Sequence, residues 1–343
     1  MLIIARALSA LGGDFQFDLN SGVPPGTKLN GSAHWSGTGG IGNSGVVKLT
    51  TAGGGQGGEF ELPDLEPGRL ITAFTLSAKV FIGGGSSPPA DGFYIAVTPT
   101  PGDFGGLFLE FDSYDNGGNE APAIDVFWKG ISLGRVHTGI SQGPGGNSFF
   151  DVSVKLDADG TLDLSYNNTS IYSNLATPYF PQAGAKFRFA AQTGGLYDNH
   201  WVDNVDISTT LVPMTPFQEW YDSFMPGKGG TADPNADYNG NGWSNFLEFA
   251  FAMDLLTGGG ISNLPKMEGS DIVIYKRRAV GGLRFDFELA STVRTTEWIT
   301  GVAGIDYTEN VTAASGVEIV RVHILNPRPL KPRFFRVRAS SLP

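Results

Sequence analysis

The chain contains no cysteine in 343 residues. That removes disulfides, thiol nucleophiles and Cys-ligated zinc or iron–sulfur centres together. Charge is sparse as well: 17% of the residues are Asp, Glu, Lys or Arg, against roughly 25% in an average globular domain. The 23 Lys and Arg form no basic stripe and the formal net charge is −11, which argues against nucleic acid as a partner. No apolar run approaches the roughly 18 residues of a membrane-spanning helix. Only four histidines occur, His34, His137, His200 and His323, and they are scattered. No Ser-His-Asp order, phosphate loop or dinucleotide fingerprint is present, so acyl, phosphoryl and hydride transfer are unsupported.

What is abundant is glycine (49), proline (21) and aromatic residues (12%). This composition fills a core and suits many short strands joined by glycine-rich turns. The length predicts two or three domains. Residues 1–13 are apolar and small with a single Arg; they read either as the remnant of a secretory signal or as a first β-strand.

Three textures follow one another. Residues 1–211 alternate strand and turn; Val152, Val154 and Leu156 form one apolar stripe, and Asp157-Ala158-Asp159-Gly160 turns it into Leu162 and Leu164. An antiparallel sandwich is expected there. Residues 212–262 are helical: Thr215-Pro216-Phe217-Gln218 is a capping-box start, and Phe217, Trp220, Tyr221 and Phe224 share one helical face. A second helix is expected from Trp243 to about Met253. Residues 263–343 return to short strands and form a small C-terminal β-domain. From residue 270 onward this segment carries a net +4, too weak a field to define a partner.

Two loops carry the chemistry. Glu110 and Asp112 stand two apart on a strand and so project from one face. The polar loop beyond can bring Asn116, the Tyr114 carbonyl and Glu120 to the same point, gathering the hard oxygens that Ca²⁺ prefers. In the second loop, Asp237-x-Asn239-x-Asn241-Gly242 followed by Glu248 satisfies the EF-hand spacing. Asp237, Asn239 and Asn241 supply side-chain oxygens, Trp243 its carbonyl and Glu248 both carboxylate oxygens, with Asp233 and Asn235 as extensions. Only two of these ligands are charged, which predicts weak affinity. This loop resembles the dockerin and thrombospondin-like calcium linkers of secreted modular bacterial proteins.

Ala90-Asp91-Gly92 followed by Glu110-Phe111-Asp112-Ser113-Tyr114-Asp115-Asn116 resembles the L-type (legume-type) lectins. Ala123-Ile124-Asp125-Val126, the hairpin around Asp157, and Gln192-Thr193-Gly194-Gly195 before His200 follow in the family's order, covering residues 14–208. The resemblance implies a concanavalin A-like antiparallel jelly-roll sandwich that binds glycans without catalysis. It implies a sugar site in which Asp91, after a cis peptide, accepts from sugar hydroxyls, Asn116 donates, Tyr114 is the aromatic platform, Gly106 (or Gly105) gives a backbone N–H, and Gly195 and Leu196 form a variable wall. Calcium would sit on Glu110, Asp112, Tyr114, Asn116 and Glu120. The family's transition-metal histidine has no counterpart here, so two calcium sites are expected in the whole chain and no second metal in the lectin loop.

Other readings stay open at this stage. The chain could be an extracellular structural protein, a surface-layer or fibre subunit, that keeps the fold without a sugar site. It could also be a laminarinase-type glycosidase working through Glu110 and Asp115, although Asp stands where that family has Glu and no Trp-rich cleft is evident. The expected setting is secreted or on a bacterial cell surface, with association of copies through the sandwich.

Overall fold

The computed structural model describes residues 11–100, 105–257, 263–269, 271–277, 283–290, 298–314, 317–325 and 334–341. Of the first thirteen residues only 11–13 belong to these, and they begin the strand Leu11–Phe17; residues 1–10 and Phe104 lie outside. The chain divides into two compact units, 1–213 and 214–343.

The first unit is a sandwich of two antiparallel sheets. The seven-stranded sheet runs Ile131–His137, Ala123–Trp128, Leu107–Asp112, Gly92–Thr98, Lys186–Gln192, Gly57–Glu61, Lys28–Gly31. The eight-stranded sheet runs Thr169–Ala176, Thr161–Tyr166, Phe150–Leu156, Ile71–Gly83, Asn199–Leu211, Val46–Thr50, His34–Ser36, with Leu11–Phe17 paired on Asn199–Leu211. The antiparallel two-sheet sandwich expected from the sequence is therefore the architecture. Alternation explains the layers: in Leu107–Asp112, Leu107, Leu109 and Phe111 are fully buried while Phe108, Glu110 and Asp112 face away from the core. Phe60, Phe93, Phe111, Phe187 and Phe189 fill the space between the sheets at 0–1% exposure, and rings such as Phe93 and Phe111 meet edge to face. The hairpin pairs Leu156 with Leu162 and Val154 with Leu164, as its turn chemistry predicts.

In the second unit Thr215 caps the helix Pro216–Phe224, and both arms of the capping box form. The second helix is shorter than expected, Asn245–Ala250. Ser244 takes the N-cap and accepts from Leu247 N, while Ala252, at φ +53°, turns the chain out beyond it. A four-stranded sheet (Lys266–Glu268, Asp271–Arg277, Val317–Ile324, Tyr307–Ala314) and a three-stranded one (Ile299–Thr300, Leu283–Ala290, Phe334–Ser341) complete the unit. Phe251 and Met253, just after the second helix, pack with Ile272, Ile274, Phe287 and Val320. The helical segment and the C-terminal strands, separate pieces in the sequence, thus share one core.

Candidate functional site

Asp91 enters the seven-stranded sheet just before Gly92–Thr98, and the Ala90–Asp91 peptide is cis. Its backbone is fixed from two sides. Asp91 N donates to Gln192 O (3.1 Å), and both Ser113 N (2.9 Å) and Ser113 Oγ (2.8 Å) donate to Asp91 O. The loop 194–197 closes over it: a Cβ built on Gly194 would stand 3.0 Å from Asp91 Oδ2, so a glycine permits this approach. Ser86 ties that loop to the Asp91 segment, giving its N–H to Tyr197 O (2.8 Å) and accepting at Oγ from Tyr197 N (2.9 Å). The Asp91 carboxylate itself is half-buried, burial pushes its pKa up, and no protein group donates to it among the described residues. It is a positioned acceptor with its hydrogen-bonding capacity unused.

The structure brings Asp91, Tyr114, Gly195 and Leu196 to the same end of the sheet, Tyr114 directly following the Ser113 that holds Asp91. It does not bring Gly106 there. Gly92 pairs with Asp112 and Val97 with Leu107, so Gly105 and Gly106 lie at the other end of the hairpin, about 17 Å away at strand rise. Gly106 O accepts from Lys129 N and Gly105 O from Gln182 Nε2.

Beside Asp91 lies an acidic surface. Glu110 pairs with Asp125 on one side and Tyr94 on the other. Burial, then the charges of Asp112 and Asp125, pushes the Glu110 carboxyl up to about 7; burial raises Asp112 too. Arg135 Nε bonds Asp125 Oδ2 (2.7 Å), while Asp125 Oδ1 is buried without a partner. Beyond Asp112 the chain turns through Gly117, Gly118 and Asn119, all at positive φ. Asn116 N donates to a Glu120 carboxylate oxygen, and Asn116 Nδ2 stands 3.4 Å from Tyr114 O. Among the described residues no three His, Asp or Glu side chains close a metal cage. The donor set nevertheless fits a hard cation: crowded carboxylates, an amide and a carbonyl, beside the orphaned Asp125 Oδ1 on the neighbouring strand. To ligate, Asn116 must turn Oδ1 inward in place of Nδ2. Asp115 has a different task, since its Oδ1 accepts from Gly117 N (2.9 Å) and Glu120 N (3.4 Å) and holds the loop.

In the second loop the Asp237 carboxylate organises the turn. Asp237 accepts from Gly240 N (2.8 Å), Asn241 N (3.1 Å) and Gly242 N (2.7 Å); Asn239 Oδ1 accepts from Asn241 N and Asn241 Oδ1 from Trp243 N. Glu248 is buried. Its Oε1 accepts from Asn239 Nδ2 and Asn241 Nδ2, both 2.8 Å, and its Oε2 is buried without a partner among the described residues. Burial raises the Glu248 pKa against the lowering effect of those amides. A divalent cation would satisfy the orphaned oxygen, with both amides turned, so the residues present fit calcium. Asp233 is used locally, its carboxylate accepting from Asn235 N (2.8 Å).

No family model and no curated protein matches the sequence. Solved structures do. The VIP36 exoplasmic/lumenal domain in its Ca²⁺/Man2-bound form is similar at 18% identity over 59% of this chain and 90% of that one, TM-score 0.45. The Emp47p carbohydrate recognition domain gives 14% identity over 57% and 95%, TM-score 0.45. Winged bean acidic lectin complexed with methyl-α-D-galactose gives 17% over 58% and 99%, TM-score 0.46. The likeness is one of fold.

Sequence reasoning missed the residues that position the site. Ser113, Gln192 and Ser86 act through backbone atoms or a single hydroxyl, and Arg135 reaches Asp125 from an edge strand whose pattern carries no alternation. The Asp125 in Ala123-Ile124-Asp125-Val126 was the one legible signal among them.

Proposed function

We propose that the first unit is a non-catalytic, lectin-like carbohydrate-binding module whose sugar site centres on Asp91 and whose loop 112–120 is stiffened by calcium. The observation that carries this reading is the half-buried Asp91 carboxylate, fixed through its backbone yet lacking a protein donor among the described residues. Sugar hydroxyls are donors of the right kind. Asn116 adds an amide donor, Tyr114 a ring for the apolar face of a pyranose, and Leu196 a wall; the open Gly195 supplies the N–H that Gly106 cannot reach to give. Calcium on Glu110, Asp112, Tyr114 O, Asn116 and Glu120 would neutralise the acidic surface and set Asn116; calcium on Asp237, Asn239, Asn241, Trp243 O and Glu248 would close the second loop. A loop with two charged ligands loads at the millimolar calcium found outside cells, which supports an extracellular setting. Asp115, engaged in holding its own loop, is poorly placed to serve as a glycosidase acid, which supports the non-catalytic reading.

A glycan array probed with and without calcium tests this. Glycan binding should depend on calcium, and Asp91→Ala should weaken it more than tenfold with no change in melting temperature. Binding that survives Asp91→Ala unchanged would refute the assignment.

A further inference from the structure

The second unit contains a cleft of about 430 Å³ that neither calcium nor the Asp91 site explains. Trp220, Ser223 and Phe224 line it from the first helix, Met253 and Asp254 from the turn after the second, and Arg277 from the end of Asp271–Arg277.

Its polar groups are sorted by kind. The Arg277 guanidinium lies over the rings of Trp220 (5.4 Å) and Phe249 (5.2 Å), and its Nε donates to Phe249 O at 3.0 Å. That contact holds the fork in place and spends one of its five donors; no carboxylate stands within ion-pair range of it among the described residues. Trp220 is 7% exposed and its indole N–H has no partner among the described residues. Asp254 presents the opposite chemistry. Its Oδ1 accepts from Leu256 N (2.9 Å), Thr257 N (2.8 Å) and Thr257 Oγ1 (2.9 Å), leaving Oδ2 as an acceptor. Ser223 Oγ spends its proton on Trp220 O (2.6 Å) and keeps its lone pairs.

A ligand that satisfies this wall needs one planar oxyanion for the fixed guanidinium fork, two separate hydroxyl donors for Asp254 and Ser223, and an apolar face for the part-exposed Phe224. We propose that the cleft binds a hexuronate, with its carboxylate on Arg277 and its ring hydroxyls on Asp254 and Ser223. The volume lies within the ordinary range of small-ligand sites, roughly 300–1,000 Å³. A bare phosphate would face the Asp254 charge unpaired. A simple amino acid would pair Arg277 and Asp254 but leave Ser223 and the apolar wall unused.

The inference is independent of the Asp91 reading, and its test silences that site. Isothermal titration of the full chain carrying Asp91→Ala should show D-glucuronate or D-galacturonate binding at least tenfold more tightly than D-glucose, alanine or inorganic phosphate. Arg277→Gln should cost at least tenfold and Ser223→Ala a few-fold, while saturation transfer should run from the protein to the sugar C–H protons. Equal binding of glucose, alanine or phosphate overturns the proposal, as does undiminished uronate binding in a folded Arg277→Gln. Should that variant fail to fold, an unchanged Ser223→Ala together with absent saturation transfer in the parent overturns it.

Discussion

Glu61 offers the sharpest test of how the first unit is held together. Its side chain is 1% exposed on the outer face of the seven-stranded sheet, 2.8 Å from Lys186 Nζ and 2.7 Å from Arg188 Nη2. Burial alone would raise its pKa, but the hydrogen bonds from Lys186 and Arg188 and their charges overcome that and bring it from 4.5 down to about 2. The folded state therefore binds fewer protons at Glu61 than the unfolded chain between pH 4.5 and 2. The stabilisation is full above pH 4.5 and disappears as pH falls through 2. At 1.36 kcal/mol per pKa unit, the drop is worth about 3 kcal/mol. Glu61→Gln should remove it and leave Arg188, 3% exposed, with only Glu59 Oε2 at 4.0 Å as a counter-charge, at a cost of about 3–4 kcal/mol at pH 7. Hydrogen-exchange mass spectrometry of the strands Gly57–Glu61 and Lys186–Gln192, run from pH 7 to 2 on both proteins, measures the difference locally. The gap should be widest at neutral pH and shrink to about 1 kcal/mol near pH 2. A gap independent of pH, or one below about 1 kcal/mol at pH 7, would refute the argument.

Three further expectations follow from specific contacts. His200 is fully buried with Nδ1 2.7 Å from Thr50 Oγ1 and Nε2 unpartnered, and burial lowers its pKa from 6.5 to about 3; its imidazole ¹⁵N shifts should remain those of a neutral ring at pH 5, and titration near 6.5 would contradict this. A base held neutral in the fold loses stability as pH drops from 6.5 toward 3, by about 1.4 kcal/mol per unit for this group. Gly85→Ala would put a Cβ 2.1 Å from Tyr197 O; it should destabilise the first unit by about 1–3 kcal/mol, displace loop 194–197 and weaken glycan binding, and a melting temperature within 1 °C of the parent (about the resolution of the assay at this domain size) counts against it. Calcium at about a hundredfold over its Kd should stabilise the second unit by about 2.7 kcal/mol, and Glu248→Gln should abolish the effect; calorimetry in which that variant responds like the parent counts against the loop assignment.

Much of this was legible in the sequence because local chemistry decided it. The Thr215 capping box, the Asp157 turn and the outward pair Glu110 and Asp112 each rest on residues within a few positions of one another. Edge strands were not legible: Lys28–Gly31, Ile131–His137 and Thr169–Ala176 are largely exposed, so no apolar alternation marks them. Contacts across the sheet were equally hidden. Glu61 meets Lys186 and Arg188 across 125 and 127 positions, and only register reveals the pairing. Gly106 failed for the converse reason: its neighbours in sequence suit the site, but strand register leaves it at the far end of a hairpin.

The loops around Asp91 are joined through main-chain atoms and two serine hydroxyls: Ser113 to Asp91 O, Gly55 N to Gly194 O at 2.9 Å, Ser86 to Tyr197. Scaffold and recognition surface are consequently written in different parts of the same residues. In the proposed sugar site the residues at 195 and 196 can be exchanged without removing any of these ties, so specificity can drift, or be selected from a library, while the acceptor at Asp91 stays where it is.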